Sequence, residues 1–145
     1  MASPGHDAYP RHPVDFARRD AQVNRLRYGE LIGVALQIGG FANGELRLFE
    51  TDPSGTPYEW KAIAIGSNRS DNQSFLETEY TEDIVLDGAI GLAMNALGSV
   101  RENGIDPESI GVGTVDADAG SYRELTTAEI REYLEDEGLL GESAE

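Results

Sequence analysis

Residues 47–66 read RLFETDPSGTPYEWKAIAIG, two apolar runs around a turn. Leu46, Leu48 and Glu50 alternate with Arg47, Phe49 and Thr51, which is the two-residue period of a strand. Pro53 presets φ at the second turn position, Asp52 can accept from amides two residues on, and Gly55 can take positive φ. The stretch predicts a tight hairpin. Its return strand would carry Tyr58, Trp60, Ala62 and Ala64 on one face and Lys61, Ile63 and Ile65 on the other.

Downstream, residues 67–80 read as a helix that Ser67 or Ser70 can cap, with Asp71 near its positive end and Phe75, Leu76 and Tyr80 as an apolar seam. Residues 85–100 predict a second helix, with Leu86, Ile90, Ala93, Met94, Leu97 and Val100 in helical spacing. Gly88, Gly91 and Gly98 interrupt it, and two readings stand: they permit close packing, or they mark relaxed selection. Residues 110–117 then read as a strand, 116–121 as a turn and Tyr122–Leu125 as a short return strand. Thr126 with Glu129 forms a capping-box pattern ahead of Ile130, Tyr133 and Leu134, and Gly138 stands at the stop.

Upstream, LIGVALQIGG at residues 31–40 is expected to be a buried strand bounded by its Gly pair, with Phe41 to Gly44 as the turn into the hairpin. Residues 15–28, DFARRDAQVNRLRY, return to helical character with Asp15 as N-cap. Arg18, Arg19, Arg25 and Arg27 give that helix a basic face, which is either ordinary solvated charge or a surface for an acidic partner. Pro4, Pro10 and Pro13 make residues 1–14 a loop.

TDPSGTPYEWKAIAIG followed by SNRSDNQSFLE resembles the segment of proteasome alpha-type subunits, archaeal ones especially, in which a hairpin leads into an outer helix. The resemblance covers roughly Asp15 to Leu140. It implies an α+β fold, the αββα sandwich of the N-terminal-nucleophile hydrolase type. Relative to that pattern the sandwich is incomplete: the chain begins after the family's gate and first strands, and no residues are found for the helix that should separate 15–28 from 31–40. The expected organisation is an irregular segment at 1–14, the C-terminal part of an alpha-type domain at 15–141, and a loose tail at 142–145.

The chain has 145 residues, no cysteine and a net charge of −16. Disulfides and thiolate metal sites are excluded, and the length suits one domain. Residues 1–30 carry five Arg against four acids, whereas residues 31–145 carry six basic side chains against 23 acids, so nucleic-acid binding is disfavoured. No apolar run is long enough for a membrane span, and prolines stand where a signal peptide would be apolar, so a soluble, cytoplasmic protein is expected. Lys61 is the only lysine, and this acidic, lysine-poor balance resembles proteins of salt-accumulating haloarchaea.

Candidate chemistry is sparse. The related beta-type subunits use a threonine freed behind a glycine, its amine serving as base. Here Gly55-Thr56 lies in the hairpin turn and Gly113-Thr114 inside a late strand, so cleavage at either would break the fold, and Met1-Ala2 offers no Ser, Thr or Cys. No catalytic residue is therefore expected, and the chain is read as a non-enzyme. His6 and His12 are expected to face solvent and not to bind metal. Glu77, Glu79, Glu82 and Asp83, or Asp116 and Asp118, lack the spacing of a calcium loop. Gly39-Gly40 ends a strand and does not open a helix, so no phosphate or other cofactor site is expected.

The resemblance implies a structural, non-catalytic alpha-type subunit of the 20S core particle, with other alpha subunits and beta subunits as partners. The alternatives are a stand-alone acidic accessory or binding protein, or a gene fragment that does not assemble. At molar salt the Debye length falls to about 3 Å and the self-repulsion of so acidic a chain is screened. Far-ultraviolet circular dichroism is accordingly expected to collapse on dialysis from molar to millimolar salt; an unchanged spectrum would contradict the halophilic reading.

Overall fold

A computed structural model describes residues 36–141. In chain order these form β1 (Leu36–Ala42), β2 (Glu45–Thr51), β3 (Pro57–Trp60), α1 (Arg69–Glu79), α2 (Leu86–Gly98), β4 (Gly113–Val115), β5 (Tyr122–Glu124) and α3 (Thr127–Asp136). The mixture of helices with a three-stranded sheet, order β1-β2-β3, and a two-stranded sheet, β4-β5, is of the α+β class. The described residues divide into two compact units, 36–40 with 47–61, and 41–46 with 62–141. The expected helix at 15–28 with its arginine face, the proline-containing segment, residues 31–35 and the tail from 142 lie outside the described residues.

In the first unit the hairpin is built as its turn chemistry dictates. β2 and β3 pair antiparallel, from Leu48 opposite Trp60 to Thr51 opposite Pro57. Asp52 Oδ1 accepts from the amides of Ser54 at 2.9 Å and Thr56 at 3.0 Å, and Gly55, at φ 84°, donates its N–H to the Asp52 carbonyl at 2.9 Å. One short carboxylate thus satisfies two turn amides that no ladder reaches. Thr51 is fully buried and its hydroxyl oxygen accepts from the Leu36 amide at 3.3 Å. Across the strands the Arg47 guanidinium donates to both Glu59 carboxylate oxygens at 2.8 Å and lies 5.0 Å from the Phe49 ring centre.

Two strand limits differ from expectation. The return strand, expected to reach Ile65, stops at Trp60. Beyond it the backbone is served by a side chain: Gln73 on α1 accepts from the Ala64 amide at 3.1 Å and donates to the Ala62 carbonyl at 3.4 Å. The Gly39-Gly40 pair, expected to end a strand, lies inside β1, and so does Phe41, expected in the turn. The reversal belongs to Asn43 and Gly44 alone, at φ 55° and 81°. Two successive left-handed residues match the twist of a hairpin, which the glycine pair four positions earlier does not supply.

In the second unit Ile90 and Met94 of α2, Ile105, Leu125, and Ile130 and Leu134 of α3 form the core, with Ile110, Val112, Tyr133 and Leu139 packed on it. α1 is capped at Asn68 and not at Ser67 or Ser70, and no side-chain cap bond forms. With ψ 28° at Asn68 the backbone is not in the extended conformation from which a cap side chain reaches the free amides. The expected seam is only partly sealed, since Leu76 is buried while Phe75 and Tyr80 are half-exposed.

The expected stripe of α2 is split. Ile90 and Met94 are buried together with Gly91 and Ala96, but Leu86, Ala93 and Leu97 are exposed. The reason is that α2 packs against α1 and against α3, so its buried arc is set by two neighbours and not by one apolar face. Of the two readings of its glycines, close packing fits Gly98 and Gly91, whereas Gly88 is exposed and a Cβ there would meet only the Ile84 side chain. A Cβ at Gly98 would lie 2.6 Å from the Leu139 side chain, and one at Gly91 would strike the Glu137 carboxylate.

β4 and β5 are shorter than the expected strands at 110–117 and 122–125, pairing Gly113, Thr114 and Val115 with Glu124, Arg123 and Tyr122. Their turn repeats the chemistry of the first hairpin: Asp116 Oδ1 accepts from the amides of Asp118 at 2.7 Å and Ala119 at 2.8 Å, and Gly120 takes φ 62°. α3 begins with the expected capping box. Thr126 Oγ1 accepts from the Glu129 amide at 3.3 Å, and Glu129 Oε2 accepts from the Thr126 amide at 2.8 Å. At its end Gly138, at φ 67°, turns the chain so that Leu139 and Gly141 bond Ile105 at 2.8 and 2.9 Å in a parallel bridge.

The Thr126 amide, and then the Arg123 guanidinium, hold the Glu129 carboxyl at about 2, below its ordinary 4.5. A folded-state pKa below the unfolded one contributes stability that is complete above about pH 4.5 and is lost as pH falls toward 2. Glu129→Gln retains a capping side chain but no charge. Its melting-temperature deficit relative to the parent is expected to shrink as pH falls from 5 to about 2, measured at constant high salt. Thr126→Ala should cost about 1 kcal/mol by losing the cap, and Leu134→Ala, at a fully buried position, about 2–5 kcal/mol in chemical denaturation.

Candidate functional site

The two Gly-Thr pairs are the places where nucleophilic chemistry could be sought, and each threonine is committed to the fold. Thr56 donates its amide to Asp52, its carbonyl accepts from the Asp52 N–H at 3.1 Å, and its Oγ1 lies 2.9 Å from Ser54 Oγ. Thr114 sits in β4 opposite Arg123 and donates its hydroxyl to the Arg123 carbonyl at 3.3 Å. In both cases the nitrogen is a peptide nitrogen within the chain, whereas an N-terminal nucleophile needs its own free amine as base. Cutting before Thr56 would also sever the turn that pairs β2 with β3.

The carboxylates are either structural or dispersed. Asp52 is held below the ordinary carboxylate range chiefly by the Ser54 hydroxyl, Asp116 by the Ala119 and Asp118 amides, and Glu59 by Arg47. Asp118, Glu77, Glu79, Glu82 and Asp83 are exposed. Among the described residues no three His, Cys, Asp or Glu side chains converge to hold a metal ion. His6 and His12 lie outside the described residues. Gly39 and Gly40 are in mid-strand, with no helix start beside them to receive a phosphate. Among the described residues no helix is long and apolar enough to cross a membrane.

Sequence reasoning missed the polar ties between α2 and α3. Tyr133 donates its hydroxyl to Asp87 Oδ1 at 2.6 Å, and Asn95 donates its side-chain amide to Glu137 Oε2 at 2.6 Å. The Asp87 carboxylate raises the Tyr133 pKa by accepting a hydrogen bond from the protonated hydroxyl. These partners are 46 and 42 residues apart, so no local pattern announces them. The described surface carries carboxylates and exposed apolar side chains, among them Val85, Tyr122, Leu46 and Tyr58.

Comparison with known proteins agrees with the hairpin's resemblance. The family model described as "Proteasome subunit" matches residues 5–115. The chain is 46% identical to "Proteasome subunit alpha 1" of Haloarcula marismortui, over all of this chain and 66% of that protein. It is 46% identical to "Proteasome subunit alpha 1" of Haloferax volcanii over 97% of this chain and 66% of the relative. With "Proteasome subunit alpha" of Halobacterium salinarum the identity is 48%, over 93% of this chain and 63% of the relative. The chain therefore spans about two thirds of the length of these relatives. The alignment with the Haloarcula protein runs over 172 positions while this chain has 145 residues, so at least 27 positions of the relative have no partner within the aligned span. From the hairpin at Asp52 through α3, what was read as a resemblance is thus kinship: this chain belongs to the proteasome subunit family.

Proposed function

We propose that the chain is a non-catalytic, structural alpha-type subunit of a 20S proteasome core particle, serving intracellular protein degradation in the cytoplasm. The observation that carries this reading is the 46% identity, over the whole chain, to a haloarchaeal protein named as an alpha subunit. Its partners would be other alpha subunits and the beta subunits, with neither nucleic acid nor membrane involved. The domain would run over residues 15–141, between an irregular segment at 1–14 and a tail at 142–145. No residue is assigned to catalysis, to a cofactor or to a metal; the commitment of Thr56 and Thr114 to backbone bonding supports that assignment. The acidic surface, with Glu77 and Glu79 closing α1 and Glu135 and Asp136 closing α3, supports work at high salt, because acids at a helix C-terminus oppose its dipole until salt screens them.

Copurification decides the matter. An affinity-tagged chain co-expressed with full-length alpha and beta subunits in a haloarchaeal host and isolated at molar salt is expected to migrate with the core particle. A chain that never enters the particle overturns the assignment. The purified chain, freed of contaminating particle, should show no peptidase activity above buffer.

A further inference from the structure

On α2 the residues Leu86, Ala93 and Leu97 are exposed, and they fall within about 40° of one another at about 100° per residue, with half-buried Ala89 at the edge. Leu86 is 44% and Leu97 40% exposed. Read from either end, the stripe runs large, small, small, large: Leu86, Ala89, Ala93, Leu97. An isologous contact requires that one patch complement itself when turned end for end, and this pattern meets the requirement. Placed antiparallel to a second copy, each Leu86 faces the other Leu97 and the two alanine pairs meet at the centre, where small side chains let helices approach closely.

The charges beside the stripe agree with that orientation. Exposed Glu82 and Asp83 precede α2 and exposed Asp87 lies in its first turn, while exposed Arg101, beside exposed Glu102, follows it, so one end is acidic and the other balanced. Reversing one copy brings its Arg101 to the acidic end of the other, twice by symmetry. A parallel arrangement would set acid against acid and Arg against Arg. From the self-complementary stripe and this charge order we propose that α2 is the contact of an antiparallel pair formed by two copies of the free chain. Salt strengthens the pair, because it screens the repulsion between two strongly acidic chains while the apolar contact is retained.

Sedimentation equilibrium of the full chain at molar salt tests the proposal. The expected mass is twice the 15.7 kDa of the chain, falling toward one chain as salt is lowered within the range where circular dichroism is unchanged. Ala93→Glu should abolish the pair. Read at the lowest salt at which the parent still pairs, where screening is weakest, Arg101→Glu should weaken the pair several-fold, and Arg101→Glu with Glu82→Arg should restore it. A parent that is a single chain or an assembly larger than two, or a pair indifferent to these changes, overturns the proposal. If Ala93→Glu alters the circular dichroism, loss and recovery in the Arg101 and Glu82 variants decides alone. Either result leaves entry into the core particle to be read separately, by copurification.

Discussion

Contact between Leu134 of α3 and the Met94 and Ile105 side chains is the constraint on which the second unit rests. Leu134 and Ile105 are wholly shielded from solvent and Met94 nearly so. In a core of six buried apolar side chains, each large one carries a substantial share of the burial free energy. The polar ties between the two helices, Tyr133 to Asp87 and Asn95 to Glu137, both from the C-terminal part of α3, add to that contact. They are exposed and would be weak alone, but the buried residues hold α2 and α3 where short hydrogen bonds can form.

The same contact explains Gly91 and Gly98 of α2. Closing the chain after α3 requires Leu139 to lie over Gly98 and Glu137 over Gly91, and the backbone of Leu139 and Gly141 then bridges to Ile105. A glycine within a helix costs about 1 kcal/mol of propensity, and at Gly98 it leaves room for the Leu139 side chain, which a Cβ there would meet at 2.6 Å.

In a chain this acidic, carboxylates do the work that polar uncharged residues often share. Asp52 and Asp116 each anchor a hairpin turn through two amides, and Glu129 closes a capping box. Each is held below its ordinary pKa by bonds its charged form accepts, so the ions that burden the molecule with repulsion also fasten its turns. Among the described residues Glu77, Glu82 and Asp83 lie exposed, whereas Glu50 is buried.

How far each feature was legible depends on the range of the interactions that make it. The Asp52 turn, the Thr126 capping box and the stop at Gly138 were plain in the sequence by itself, because each is closed by residues within four positions of one another, and local order also carried the family through residues 52–77. The end of the return strand was decided only by tertiary structure, since Gln73 reaches the backbone of Ala62 and Ala64 from α1. The division of the α2 stripe was decided there too, because periodicity states which side chains are apolar but not how many helices will cover them. Chemistry followed the same rule: Thr56 and Thr114 were recognisable as threonines behind glycines, and only the folded chain set their hydrogen bonds to Asp52 and to the Arg123 carbonyl. Local bonding is written in neighbouring residues, whereas burial is a property of whatever the fold brings alongside.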